Sequence, residues 1–132
     1  MKTARRIGVL FLTTAALAAC SGDSGGNAVP SGWIRQEYRA GGGSYLDRSD
    51  PVTTVASEIE KHTAPQDRTS SGRMVFLRYR DDIVAVSPYL GGSRIEIDDY
   101  RGGYHRWRPH LSSVWPDPDS DSFRGGGPGS GK

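Results

Sequence analysis

Met74-Val75-Phe76-Leu77-Arg78-Tyr79, Arg80-Asp81-Asp82, Ile83-Val84-Ala85-Val86-Ser87 is the stretch on which the fold turns. The first and last runs are apolar and rich in β-formers, and the charged triplet between them suits a tight turn. Leu90-Gly91-Gly92-Ser93 is a second turn. Arg94-Ile95-Glu96-Ile97-Asp98-Asp99-Tyr100 then alternates, with Ile95 and Ile97 on one face and Arg94, Glu96 and Asp98 on the other. Alternation of that kind marks a strand with one wet side. The three runs predict a three-stranded antiparallel meander.

Upstream, Val52, Val55, Ala56 and Ile59 follow the spacing of one buried helical stripe. Asp50 is placed to cap that helix and Pro51 to open it, so a helix over 51–62 is expected to cover the meander. Ser31 suits the start of a short helix in which Ile34 and Tyr38 share a face. Residues 40–44 are a Gly-rich break, Tyr45-Leu46 a brief extended piece, and 66–72 a polar loop. Downstream, Gly102-Gly103 breaks the chain. Residues 104–108 are expected as strand or coil, with a short helix after Pro109. The expected fold class is α+β: a three- to four-stranded antiparallel meander packed by one or two helices, within residues 30–116.

The chain ends read differently. Lys2, Arg5 and Arg6 form a basic start, and an uncharged apolar stretch over 7–19 leads to Leu17-Ala18-Ala19-Cys20. This is the pattern of an export signal, too short for the roughly 20 apolar residues of a spanning helix. Cys20 is the only cysteine, so no disulfide can form within the chain. Leu-Ala-Ala-Cys resembles the lipobox of bacterial lipoproteins, which makes 1–19 the signal peptide and Cys20 the lipidation site. A diacylglyceryl group there anchors stably because it carries two acyl chains. Residues 20–29, Gly- and Ser-rich, are expected as a flexible tether, and 117–132 as a disordered tail rich in Gly, Asp and Pro. The expected location is the extracytoplasmic face of the cell membrane.

Cleavage also alters the charge. The whole chain has 17 basic and 15 acidic residues; losing Lys2, Arg5 and Arg6 leaves 14 against 15, a net of −1. Nucleic acid is therefore not an expected partner, since its binding needs a basic face.

The meander runs quoted above, with Gly103-Tyr104-His105-Arg106-Trp107 after them, resemble a family of short lipoproteins from actinobacteria and some firmicutes. Its members carry a single domain of unknown function. The resemblance extends to the 123–132 tail and implies a surface location but no activity, cofactor or catalytic residue. It also implies gene neighbourhoods that hold small integral membrane proteins and a polyamine-synthase-like protein, which makes a small integral membrane protein an expected partner.

Two groups of residues are candidates for chemistry. Asp81, Asp98, Asp99 and His105 could together hold a divalent cation, against the plainer reading of turn chemistry and arginine pairing. Arg101, Tyr104, Arg106 and Trp107 are the candidate binding face, since arginine beside aromatics suits carboxylates and phosphates; the plainer reading is salt bridges and core filling. No zinc spacing, nucleophile elbow or phosphate loop occurs. The leading expectation is a non-enzymatic accessory lipoprotein without cofactor. The alternatives are a small metal-dependent or carboxylate-based envelope enzyme and a binder of polyamines or other cations.

Overall fold

The computed structural model describes residues 27–125. Cys20, the leader and most of the tether lie outside the described residues. The chain runs α1 (Ser31–Glu37), β1 (Arg39–Gly41), β2 (Ser44–Asp47), α2 (Val52–His62), β3 (Asp67–Ser71), β4 (Met74–Arg78), β5 (Asp82–Tyr89), β6 (Gly92–Asp99), α3 (Tyr100–Arg106), α4 (Arg108–Leu111) and α5 (Asp121–Gly125). The fold is α+β, as expected. The sheet, however, has six antiparallel strands rather than three or four, in the order β1-β2-β6-β5-β4-β3.

The expected meander is its centre, β4-β5-β6. Of the extra strands, β2 contains the expected extended piece Tyr45-Leu46, whereas β3 falls in the expected polar loop and β1 in and before the Gly-rich break. β3 is Asp-Arg-Thr-Ser-Ser, an edge strand with no apolar residue to betray it. β1 and β2 close around Gly42-Gly43, both with positive φ, the backbone that a two-residue hairpin turn requires.

Both faces of the sheet are covered. α1 and α2 bury Ile34, Val55, Ala56 and Ile59 against Val75, Leu77, Val84, Val86 and Ile95. Each large aliphatic chain buried this way contributes about 1.5–3 kcal/mol. Tyr79 is fully buried there and donates to the Thr63 carbonyl at 2.7 Å. Tyr38 donates to Glu58 at 2.6 Å. Burial of both phenols, with the nearby glutamates, pushes their pKa values well above the ordinary tyrosine value.

The opposite face buries Phe76, Ile83 and Ala85 beneath Tyr100, Tyr104, Leu111 and Trp115. Here the sequence expectation fails. Residues 100–106 form α3, not strand or coil. Asp99 caps α3 by accepting from the Gly102 N–H at 3.0 Å. Gly103 lets the helix lie close on the sheet, since a Cβ there would sit 3.1 Å from the Ile83 Cβ and 3.2 Å from the Asp98 Cβ. Of the glycine pair expected as a break, Gly103 is the contact with the sheet and Gly102 faces solvent.

Three boundaries also move. The N-cap of α2 is Pro51, with no side-chain cap; Asp50 does not cap it. Asn27, placed in the tether, already bonds to Ala64, and its carbonyl accepts from the Arg80 N–H. Residues 117–125, placed in a tail without structure, fold back on α3. The Phe123 ring stacks on Tyr100 at 5.2 Å, and Asp117 and Asp119 engage Arg108, Arg101 and His105.

Candidate functional site

The residues singled out in the sequence gather at one end of the sheet, where the β4–β5 turn meets the start of α3. They do not converge. Asp81 pairs with Arg80 at 2.8 Å, and Asp98 takes Arg106 at 3.3 Å. Arg106 also reaches Glu96 at 2.8 Å. Asp99 serves as the α3 cap, and His105 meets Asp119 at 2.8 Å. Among the described residues, no three His, Cys, Asp or Glu side chains gather in a way that could hold a metal ion. Asp82 faces Asp99 across the β5–β6 ladder. Burial, reinforced by the charges of Asp81 and Asp99 and opposed by Arg80, raises its pKa above the ordinary carboxylate value.

The candidate binding face is also divided. Tyr104 is buried in the core. Trp107 packs edge-on against Phe76 at 5.7 Å, and its buried Nε1 has no hydrogen-bond partner among the described residues. Arg101 and Arg106 reach solvent, but both are engaged by carboxylates.

A different constellation lies at the opposite end. Three connections meet there: the β5–β6 turn, the β3–β4 turn and the β2–α2 loop. β5 and β6 are joined by Leu90-Gly91 alone, with φ of 44° and 83°. Positive φ at both central positions is the pattern of a type I′ turn, which favours Asn-Gly. A leucine in this conformation costs about 1 kcal/mol. Leu90 is nevertheless 85% exposed, so its side chain gains nothing from the core in return.

Two clefts flank the knob. One, about 540 Å³, runs past Val52, Thr53, Arg73 and Pro88. The other, about 420 Å³, runs past Leu46 and Arg48, and both are bounded by Tyr89 and Leu90. Gly92 is what lets the β2–α2 loop close against the hairpin: a Cβ there would lie 1.9 Å from the Asp47 carbonyl oxygen. Ser93 donates to the Asp50 carbonyl at 2.7 Å and ties down the same loop.

Positive charge at this end is left open. Arg94 lies over the Tyr89 ring, its Cζ 4.0 Å from the centroid, and its buried Nε lacks a hydrogen-bond partner among the described residues. Arg39 and Arg94 both register against Leu46 and so share a face. Neither they nor Arg48 and Arg73 have a carboxylate partner among the described residues. The acids here are Asp47 and Asp50. Burial works against the Asp47 carboxylate, but the N–H groups of Asp50 and Ser49 and the Ser49 hydroxyl outweigh it and hold its pKa below the ordinary value. The Asp47 charge in turn raises Asp50.

The family described as Domain of unknown function (DUF4247) has a model that matches residues 13–132. The chain belongs to that family. No curated protein and no solved structure matches it. In this DUF4247 chain the sequence points to the end where Arg80, Arg101, Arg106 and Arg108 pair with carboxylates and Arg78 lies over the Tyr100 ring, and not to the end whose exposed arginines stay unpaired among the described residues. The available signal was small: a leucine in a turn whose geometry calls for asparagine or glycine.

Proposed function

We propose that this DUF4247 chain is a lipid-anchored extracytoplasmic binding protein, not a catalyst, held to the cell membrane through Cys20 and making its contacts through the β5–β6 hairpin end. The anchoring rests on Leu17-Ala18-Ala19-Cys20 behind a basic and apolar leader. The observation that carries the binding assignment is Leu90, a large apolar side chain held exposed in unfavourable backbone between two clefts. Leu90 together with Pro88, Tyr89 and Leu46 lines the two clefts as one apolar patch rimmed by cations, the make-up of a contact surface. Against catalysis stands the placement of Asp81, Asp98, Asp99 and His105, each tied to an arginine, a helix start or Asp119. The polyamine reading is weakened in the same way, because Asp81 and Asp98 already face arginines and Asp99 caps α3.

The anchor is tested by fractionating cells that express the chain or Cys20→Ala. Membrane retention with incorporation of labelled palmitate is expected for the first. The variant is expected in the soluble fraction or accumulating unprocessed; a variant that stays anchored and processed overturns the assignment.

A further inference from the structure

We infer that the β5–β6 hairpin end is a second membrane contact: Leu90 enters the headgroup layer of a bilayer rich in anionic lipid, with Arg48 and Arg73 among the phosphates. The inference rests on the anchoring proposed for Cys20 and adds to it an orientation.

The end has the chemistry that such a surface takes. A bilayer asks for little shape complementarity. It asks for an apolar group that can pass below the headgroups and for cations at the level of the phosphates. Leu90 is the outermost large apolar side chain of the hairpin, with Pro88 and Tyr89 behind it. Arg73 stands in the β3–β4 turn on one side, Arg48 in the β2–α2 loop on the other, and neither is held by a carboxylate among the described residues. Arginine suits this role because its stem can lie along apolar surface while its guanidinium stays with the phosphates. Arg39 and Arg94 add charge behind the tip, and Asp47 and Asp50 subtract from it, so the surface is modestly basic.

Chain length permits the contact. Asn27 is fastened to Arg80, at the turn before β5, while Leu90 follows the far end of β5. The eight residues of that strand span about 27 Å. The seven peptide units from Cys20 to Asn27 reach about 25 Å when extended. A tilted domain can therefore rest its tip on the membrane while the tethered end, where Asn27 bonds Ala64 beside the last turn of α2, stands away from it. Each arginine near an anionic surface contributes only about a fivefold factor. Such a contact is weak for a free domain and effective for one already confined to the surface by its lipid.

The test uses the full chain with Thr53→Cys, purified with its lipid and reconstituted in vesicles of phosphatidylcholine, alone or mixed with phosphatidylglycerol. Thr53 lines the cleft beside Leu90 and is exposed. With Cys20 acylated, position 53 is the sole free thiol for a spin label. On the anionic vesicles, access of a water-soluble nickel relaxant to the label is expected to fall several-fold. Leu90→Asp, or Arg48→Glu with Arg73→Glu, is expected to restore it, while a label at Lys61→Cys on α2 stays accessible throughout. Equal access on both vesicle types with the protein still bound to them overturns the inference. So does protection that requires an added envelope protein, or protection at position 61 as large as at 53. Failure of the anchor is separate and visible: the chain would take two labels and would not float with the vesicles.

Discussion

The two ends of the sheet use the same materials and finish them in opposite ways. At the β4–β5 end, Arg80, Arg101, Arg106 and Arg108 each meet a carboxylate. Exposed pairs of this kind contribute about 0–1 kcal/mol each. Their effect is positional: Arg106 fastens α3 to β6, and Arg101 and Arg108 fasten the 117–125 segment to α3 and α4. At the hairpin end, Arg39, Arg48, Arg73 and Arg94 have no carboxylate partner among the described residues, and a leucine stands in solvent. Charged residues in number therefore do not mark the contact surface. The proposed surface is set instead by exposed groups left without an internal partner, at the end where the backbone also accepts strain.

The largest effects should come from the glycine that closes each end. Gly92→Ala drives a methyl into the backbone of the β2–α2 loop, 1.9 Å from the Asp47 oxygen. No side-chain rotation relieves that clash, so a loss of about 3 kcal/mol is expected in urea unfolding. Gly103→Ala meets Ile83 and Asp98 at 3.1 and 3.2 Å. The gain in helix propensity, about 1 kcal/mol, offsets part of the overpacking, and a net loss of about 1 kcal/mol is expected. If Gly92→Ala were the milder of the two, the tight closure of the hairpin end would be wrong.

This contrast also explains what the sequence could convey. β4, β5 and β6 were legible because buried strands carry long apolar or alternating runs, and α2 because Val52, Val55, Ala56 and Ile59 repeat at helical spacing. β3 was not, because an edge strand made of Asp67 to Ser71 needs only its backbone to pair. α3 was misread because Gly103 is a contact across the fold, and a glycine's spatial neighbours leave no local pattern. The stacking of Phe123 on Tyr100 is equally non-local. At the candidate site, charge and aromatic content pointed to Arg101 and Arg106, whose partners only the fold supplies. Leu90 passed as part of a turn because its exposure, too, depends on the fold.

Leu90→Asn sharpens the comparison at the hairpin end. Asparagine tolerates left-handed backbone and suits the first position of this turn. Since Leu90 buries little, the variant is expected to gain about 1 kcal/mol in urea unfolding, while losing protection of the position 53 label on anionic vesicles. A loss of stability would mean that Leu90 supports the fold, and the argument from its exposure would fail.

The smallest effect separates the two ends by pH. The folded-state pKa of Asp82 is raised, chiefly by burial and then by Asp81 and Asp99. The folded protein therefore holds that proton more tightly than the unfolded chain does. The resulting stabilisation is present in acid, below the unfolded pKa, and is lost as pH rises through the folded value. Asp82→Asn removes a like-charge pair directly across the β5–β6 ladder, worth about 0.2–1 kcal/mol. It should be the more stable protein at neutral pH and lose that advantage in acid. Asp47 has the opposite sign. Its lowered pKa gives stability above the unfolded value that is lost as pH falls through the folded one. Acid should thus favour the β4–β5 end at Asp82 and loosen the hairpin end at Asp47. Hydrogen exchange can follow this at the Tyr100 amide, which donates to Asp81, and at the Ser49 and Asp50 amides, which donate to Asp47. Protection at Ser49 and Asp50 should fall first as pH is lowered. If both ends lost protection together, the charges would act through the global stability of one cooperative unit, not through the separate finish of its two ends.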